Sequence, residues 1–223
     1  MRSTGSTRIR GDHPLFSIIQ AAGWPIWPLI ACSILALALV IERFISLKTA
    51  KVAPPKLLEE ALAASRHSVT APDVVAQLEQ NSALGEVLAS GLRVLNSDPT
   101  CTEGDLRANM ESTGRAVAHR LERYLSALAT IASAAPLLGL LGTVIGMIEI
   151  FGSQSPTGAT GGNPAQLAHG ISVALYNTAF GLIVAIPSLI FWRYFRGRVD
   201  EYLLGLELSA DRFARHLLSI RGQ

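Results

Sequence analysis

The residues able to do chemistry in this chain are few, and they stand inside long uncharged stretches. Thr143 and Thr178 place hydroxyls in two such stretches, each beside small residues at helical spacing. Gly139, Gly142 and Gly146 recur at three- and four-residue steps around Thr143. Gly170, Ala174, Thr178, Gly181, Ala185 and Ser188 form a second stripe, with Asn177 adjoining its hydroxyl. Helices in lipid associate through close contact of small residues, so both stripes read first as packing faces. A threonine in such a helix commonly bonds a carbonyl of its own chain, so the hydroxyls alone do not define a pore. Proton relays through a membrane usually place an ionisable side chain at depth, and here the deep stretches hold none. If this chain conducts protons, another chain must supply the acid. Glu149 lies near the outer end of the second stretch, where its plainer role is contact with water. His169 stands at the opposite rim of the following loop and titrates near neutrality, though a lone loop histidine is more simply a bystander. Together the two residues mark a candidate mouth.

Other chemistries have little support. The stretches contain no paired aspartates, Ser–His or Ser–Lys dyad, or H-E-x-x-H site, so no catalytic residue is assigned and no enzyme is expected. Five histidines are scattered, no metal-ligand cluster stands out, and no cofactor is implied. Cys32 falls in an apolar run and Cys101 in a polar one, an arrangement that argues against a disulfide. A net charge of +2 without a basic, aromatic-laced patch gives nucleic acid no purchase.

The elements that must hold these residues are membrane helices. Of 223 residues, 49% are apolar and 16% charged, against roughly a quarter charged in soluble domains. The deficit is local: a span needs about 20 apolar residues, and three stretches supply them, at 24–45, 125–151 and 171–194. Trp24 and Trp27 suit the outer interface of the first, which Glu42 and Arg43 close on the inner side. Pro25 and Pro28 fall in or before its first turn, where proline costs little. Pro136 and Pro187 lie inside the second and third spans, where each removes a backbone donor and invites a kink. The first span is too long for a signal-peptide core and reads as a retained anchor. The stretch from Arg43 to Arg123 holds ten Lys and Arg, the tail from Arg193 onward six, and the loop between the last two spans none. That bias puts 46–124 and 195–223 in the cytoplasm and 152–170 outside. Residues 1–23, partly amphipathic, then lie outside as well, despite three arginines.

The segment 46–124 reads as helical, with apolar residues at helical spacing over 56–64, 73–80 and 84–95. Asp98-Pro99 breaks the pattern. Thr102-Glu103-Gly104-Asp105 looks like a helix N-terminus, and nothing after it stops the helix before Pro136. The spacing predicts a rod of roughly 45 residues, about 70 Å at the helical rise. The tail keeps helical spacing through Tyr202, Leu206, Phe213 and Leu217. No strand alternation occurs, so the expected fold is an all-α membrane protein with three transmembrane helices and long cytoplasmic helical extensions.

Two stretches resemble a known family. Ala134-Ala135-Pro136-Leu137-Leu138-Gly139-Leu140-Leu141-Gly142-Thr143-Val144-Ile145-Gly146-Met147-Ile148 is similar to the second-span signature of the MotA/TolQ/ExbB proton-channel family. Leu167-Ala168-His169-Gly170-Ile171-Ser172, continuing through Ala174-Leu175-Tyr176-Asn177-Thr178-Ala179-Phe180-Gly181-Leu182-Ile183-Val184-Ala185-Ile186-Pro187, resembles its third-span signature. The likeness is strong over about 100–200 and closest to ExbB, with TolQ next. It implies a multi-pass subunit of a Gram-negative inner membrane, N-terminus periplasmic and C-terminus cytoplasmic, forming a homo-oligomer that is pentameric in the family. The second and third spans would surround single-span helices of an ExbD-like partner, whose aspartate takes up and releases protons. The family's paired threonines fall on Thr143 and Thr178. A TonB-like transducer would carry the motion to outer-membrane nutrient import; a TolQ-like envelope motor or a non-conducting scaffold are the alternatives. Many ExbB and TolQ sequences have a glutamate where this chain has Val173, so the resemblance carries no obligatory acid onto this chain.

Overall fold

The computed structural model describes residues 24–65, 71–152 and 164–221, and within them not the side chains of 164–167, 169, 173 and 221. The segment 1–23 and most of the expected outer loop therefore lie outside the described residues. In chain order the helices are α1 (Ile26–Ser46), α2 (Thr49–Val52), α3 (Leu57–Ala64), α4 (Pro72–Asn81), α5 (Ala83–Ser97), α6 (Glu103–Glu122), α7 (Leu125–Gly152) and α8 (Pro164–Arg221). No strand occurs among the described residues. Three helical runs are long and apolar enough to cross a membrane: α1, α6 continuing into α7, and α8 from Gly170 onward. The chain is an all-α membrane protein with long helical extensions.

It divides into two compact units, Met1–Leu37 with Thr130–Leu189, and Ala38–Ala129 with Ile190–Gln223. In the first unit Leu29, Ala135 and Ala185 form a buried core, with Leu138, Phe180 and Val184 packed on it. Leu137, Leu140, Val144, Ile148, Leu175, Ile183 and Ile186 are exposed around it. A helix apolar on every side suits lipid, which accepts the residues the core does not. Pro136 and Pro187 both lie inside uninterrupted helices.

The second unit follows soluble-protein rules. Ser82 alone joins α4 to α5, and its hydroxyl accepts the Gly85 N–H at 3.1 Å, capping α5. A side chain at Gly85 would strike the Leu78 carbonyl, so the turn depends on glycine there. The buried face of α5, with Leu84, Val87, Leu88 and Leu92, packs on α6, which buries Leu106, Met110, Val117 and Leu121. The tail of α8 adds Val199, Leu206, Phe213 and Leu217, all buried. The expected N-terminus of α6 is present as a capping box. Asp105 N–H donates to the Thr102 hydroxyl at 3.1 Å, and Thr102 N–H to the Asp105 carboxylate at 3.1 Å. The Thr102 hydroxyl also donates to the Asp105 carboxylate at 2.7 Å, and that bond, with the one from the Thr102 N–H, holds the Asp105 carboxyl below its ordinary range.

The rod expected from Asp105 onward is interrupted at Arg123 and Tyr124, although Arg123 keeps helical dihedrals. Beside the break lies a buried residue of α1. Arg43 is 2% exposed and donates through Nη1 to the Leu121 carbonyl at 2.6 Å. Arg43 also pairs with Glu42 at 2.6 Å and stacks over the Tyr124 ring at 4.9 Å. Nearby, Phe44 meets Phe195 edge-on at 5.0 Å. Tyr202 ties α8 to the link after α1: its hydroxyl donates to the Leu47 carbonyl at 3.0 Å, stands 3.0 Å from the Thr49 hydroxyl, and accepts from Arg198 at 2.8 Å.

Candidate functional site

In the first unit α7 and α8 cross at backbone contact. A Cβ built on Gly139 would come within 2.8 Å of the Asn177 carbonyl oxygen and 3.1 Å of Thr178 Cα. One on Gly181 would come within 2.7 Å of the Ala135 carbonyl oxygen and 3.1 Å of Gly139 Cα. Gly142 faces the Asn177 side chain, whose Cβ would stand 2.8 Å from an added methyl. Gly146 has more room, meeting only Ala174, at 3.4 Å. Side chains larger than hydrogen at Gly139, Gly142 or Gly181 would hold the helices apart, and without a hydrophobic driving force in lipid that separation is costly. Ala174, Ala185 and Asn177 are buried, Asn177 at 2% exposure. Ala135, fully buried, belongs to the same contact although the sequence reading singles out only the stripe from Gly139 onward; its i−4 spacing from Gly139 is the signal that marks it.

The two threonines occupy different surroundings. Thr178 is half-buried at the crossing, its hydroxyl 3.5 Å from the Gly139 carbonyl, at the outer limit of a hydrogen bond. Thr143 donates to the Leu140 carbonyl of its own helix at 2.7 Å. It also lines an open hollow of about 650 Å3 with Val144, Met147, Ile148, Phe151 and Gly152. Those neighbours are apolar, so the hydroxyl is the polar side chain of that wall. With its proton on Leu140, its lone pairs remain free to accept, and a change of rotamer would let it donate instead. Ser188, also buried, donates to the Val184 carbonyl at 2.7 Å and so is satisfied within α8. Glu149 is exposed three residues before the end of α7. The side chains of His169 and Val173 lie outside the described residues. Neither 125–148 of α7 nor 171–192 of α8 carries an ionisable acid or base other than tyrosine. Among the described residues no group of three His, Cys, Asp or Glu could hold a metal ion.

The site thus offers the Thr143 hydroxyl on an apolar hollow and the Thr178 hydroxyl at a glycine-dependent crossing, with no acid at depth in either span. The chain is similar to known proteins over most of its length. The model of the MotA/TolQ/ExbB proton channel family matches residues 79–207. An ExbB-like biopolymer transport protein of Synechocystis sp. is 34% identical over 79% of this chain and 82% of its own length. Biopolymer transport protein exbB1 of Vibrio cholerae is 33% identical over 76% of this chain and 74% of its own. Tol-Pal system protein TolQ of Pseudomonas aeruginosa is 29% identical over 83% and 82% respectively.

Proposed function

Because the chain belongs to the MotA/TolQ/ExbB proton channel family, we propose that it is the ExbB-like channel and scaffold subunit of an inner-membrane motor. In this reading copies of the chain form a homo-oligomer, a pentamer as the family pattern implies. Their second and third spans enclose the single span of an ExbD-like subunit. That partner brings the aspartate this chain lacks, which takes a proton on the periplasmic side and yields it on the cytoplasmic side. Glu149 and His169 stand at the periplasmic mouth. The orientation follows from the lysines and arginines gathered in 46–124 and 195–223.

Thr143 and Thr178 bond the partner's carboxylate or the water beside it. Hydroxyl donors favour the ionised form and so promote release. Taking a carboxylate from charged to neutral changes its burial cost by roughly several kcal/mol. That is enough to turn a small helix, and a TonB-like transducer carries the movement to nutrient import at the outer membrane. Val173 stands where many relatives of this type have glutamate, so proton passage here needs no acid from this chain. The observation that carries the reading is Thr143, a hydroxyl on an apolar hollow in a span without any carboxylate at depth.

Proton uptake into vesicles holding this protein and its single-span partner tests it. Flux should need both chains, and the double variant Thr143→Val, Thr178→Val should lose most of it. Undiminished flux in that variant removes the two hydroxyls from the path. A complex that binds its partner and passes no protons at all would instead make the chain a scaffold. Cysteines placed at Gln154 and Ser97 should label from the periplasm and the cytoplasm respectively, and the reverse result inverts the orientation. The TolQ relative favours a second reading, an envelope-maintenance motor. Cells lacking their own ExbB or TolQ separate the two by which defect this chain repairs.

A further inference from the structure

In the second unit two cavities meet at the inner end of α1. One, of about 540 Å3, is lined by Ala38, Ile41 and Ile45 and is mainly apolar. The other, of about 630 Å3, is lined by charged and apolar residues alike. Glu42, Ser46 and Lys51 belong to both, so an apolar groove along the span opens directly into a charged pocket beyond it. Ile41 and Ile45 are about half exposed, where a membrane helix needs a hydrocarbon neighbour.

The charges in this second cavity do not cancel evenly. Its three carboxylates each have an arginine: Glu42 pairs with Arg43, Glu79 with Arg93, and Glu86 with Arg120. Two lining cations remain. Among the described residues Lys51 makes no ion pair, and Arg123 has only the Tyr124 ring, 5.3 Å from its guanidinium carbon. A phosphodiester would satisfy both cations, whereas a headgroup amine would find no carboxylate left over. Arg43 is excluded as a ligand, because it is buried and committed to Leu121 and Glu42.

We infer that this pair of cavities is a binding site for an anionic glycerophospholipid of the leaflet at the inner end of α1. One acyl chain lies along Ala38, Ile41 and Ile45, and the phosphate lies between Lys51 and Arg123. The inference rests on α1 being a membrane span and on nothing in the proton path.

Native mass spectrometry of the full chain, released from micelles of equimolar phosphatidylglycerol and phosphatidylcholine, tests it. Phosphatidylglycerol should be retained in preference. Lys51→Gln and Arg123→Gln should each weaken retention about fivefold, and together about 25-fold, from the usual worth of one surface cation toward an anionic lipid. Lys56→Gln removes the same charge outside the cavity and should leave retention unchanged. Excess glycerol 3-phosphate should not displace the lipid, since it lacks the chain that fills the groove. Equal retention of both lipids, an effect of Lys56→Gln as large as that of Lys51→Gln, or displacement by glycerol 3-phosphate would each overturn the site. Circular dichroism of each variant checks that the helices persist, and Lys51→Arg, keeping the charge, should restore retention.

Discussion

Replacing Gly181 by alanine adds one methyl at the closest point of the α7–α8 crossing. That methyl would lie 2.7 Å from the Ala135 carbonyl oxygen, 3.1 Å from Gly139 Cα and 3.4 Å from Gly139 N. All three are backbone atoms, so no rotamer can relieve the clash and the helices must part by about 0.5–1 Å. A gap of that size forfeits a quarter to a half of each contact it opens, each worth about 0.1–0.2 kcal/mol. Spread over the crossing, and added to the strain of overpacking, the loss comes to about 1–3 kcal/mol. The Thr178–Gly139 bond, already at 3.5 Å, would go with it. Gly146→Ala is the internal control, because its methyl would meet only Ala174, at an ordinary 3.4 Å. Denaturation of the purified chain in mild detergent, followed by circular dichroism, should show Gly181→Ala clearly weakened and Gly146→Ala close to wild type. Equal stability of the two variants, or the opposite order, would refute the claim that backbone contact at Gly139 and Gly181 sets the distance between these helices.

Other changes follow from the second unit. Thr102→Ala removes the cap of α6 and should cost about 0.5–2 kcal/mol in chemical denaturation. The same variant should raise the Asp105 pKa in an NMR titration, since the bonds from Thr102 are what lower it. A depressed carboxyl favours folding above its unfolded pKa, and that benefit fades as pH falls through the folded value. In wild type the Asp105 contribution is therefore present at neutral pH and lost in acid; in Thr102→Ala the acid-dependent part shrinks. Arg43→Met leaves the Leu121 carbonyl without its guanidinium and should cost about 1–3 kcal/mol, read by thermal melting, with Arg43→Lys recovering only part because it lacks the planar fork. Tyr202→Phe should lower the melting temperature by removing a hydroxyl that serves three partners, whereas Gly205→Ala, with open space around it, should raise it slightly.

Length and local chemistry carried the sequence reading furthest. Three charge-free stretches announce membrane helices because hydrocarbon admits little else, and the Thr102–Asp105 box is written in adjacent residues. Spacing also marks Gly139, Gly142 and Gly181 as small faces. It does not say that Gly181 sits over Ala135 and Gly139, because register between helices 40 residues apart is a tertiary property. The interruption at Arg123 and Tyr124 was invisible too, since local propensity there is helical. The four-residue helix at Thr49–Val52 is too short for periodicity to reveal. Thr143 and Thr178 look alike in sequence, yet one lines a hollow and the other lies under a neighbouring backbone, a difference that only packing creates.

The Arg43–Leu121 bond joins residues 78 positions apart. At about 5–20 residues per second of translation, the carbonyl that Arg43 requires is made roughly 4–16 s after the arginine itself. Until then the guanidinium has only Glu42 and must stay hydrated, so the first helix is made with its Arg43 end wet. The nascent chain can close that end only once Leu121 is made, which sets an order of synthesis: anchor first, helices of the second unit next, and the seal between them last.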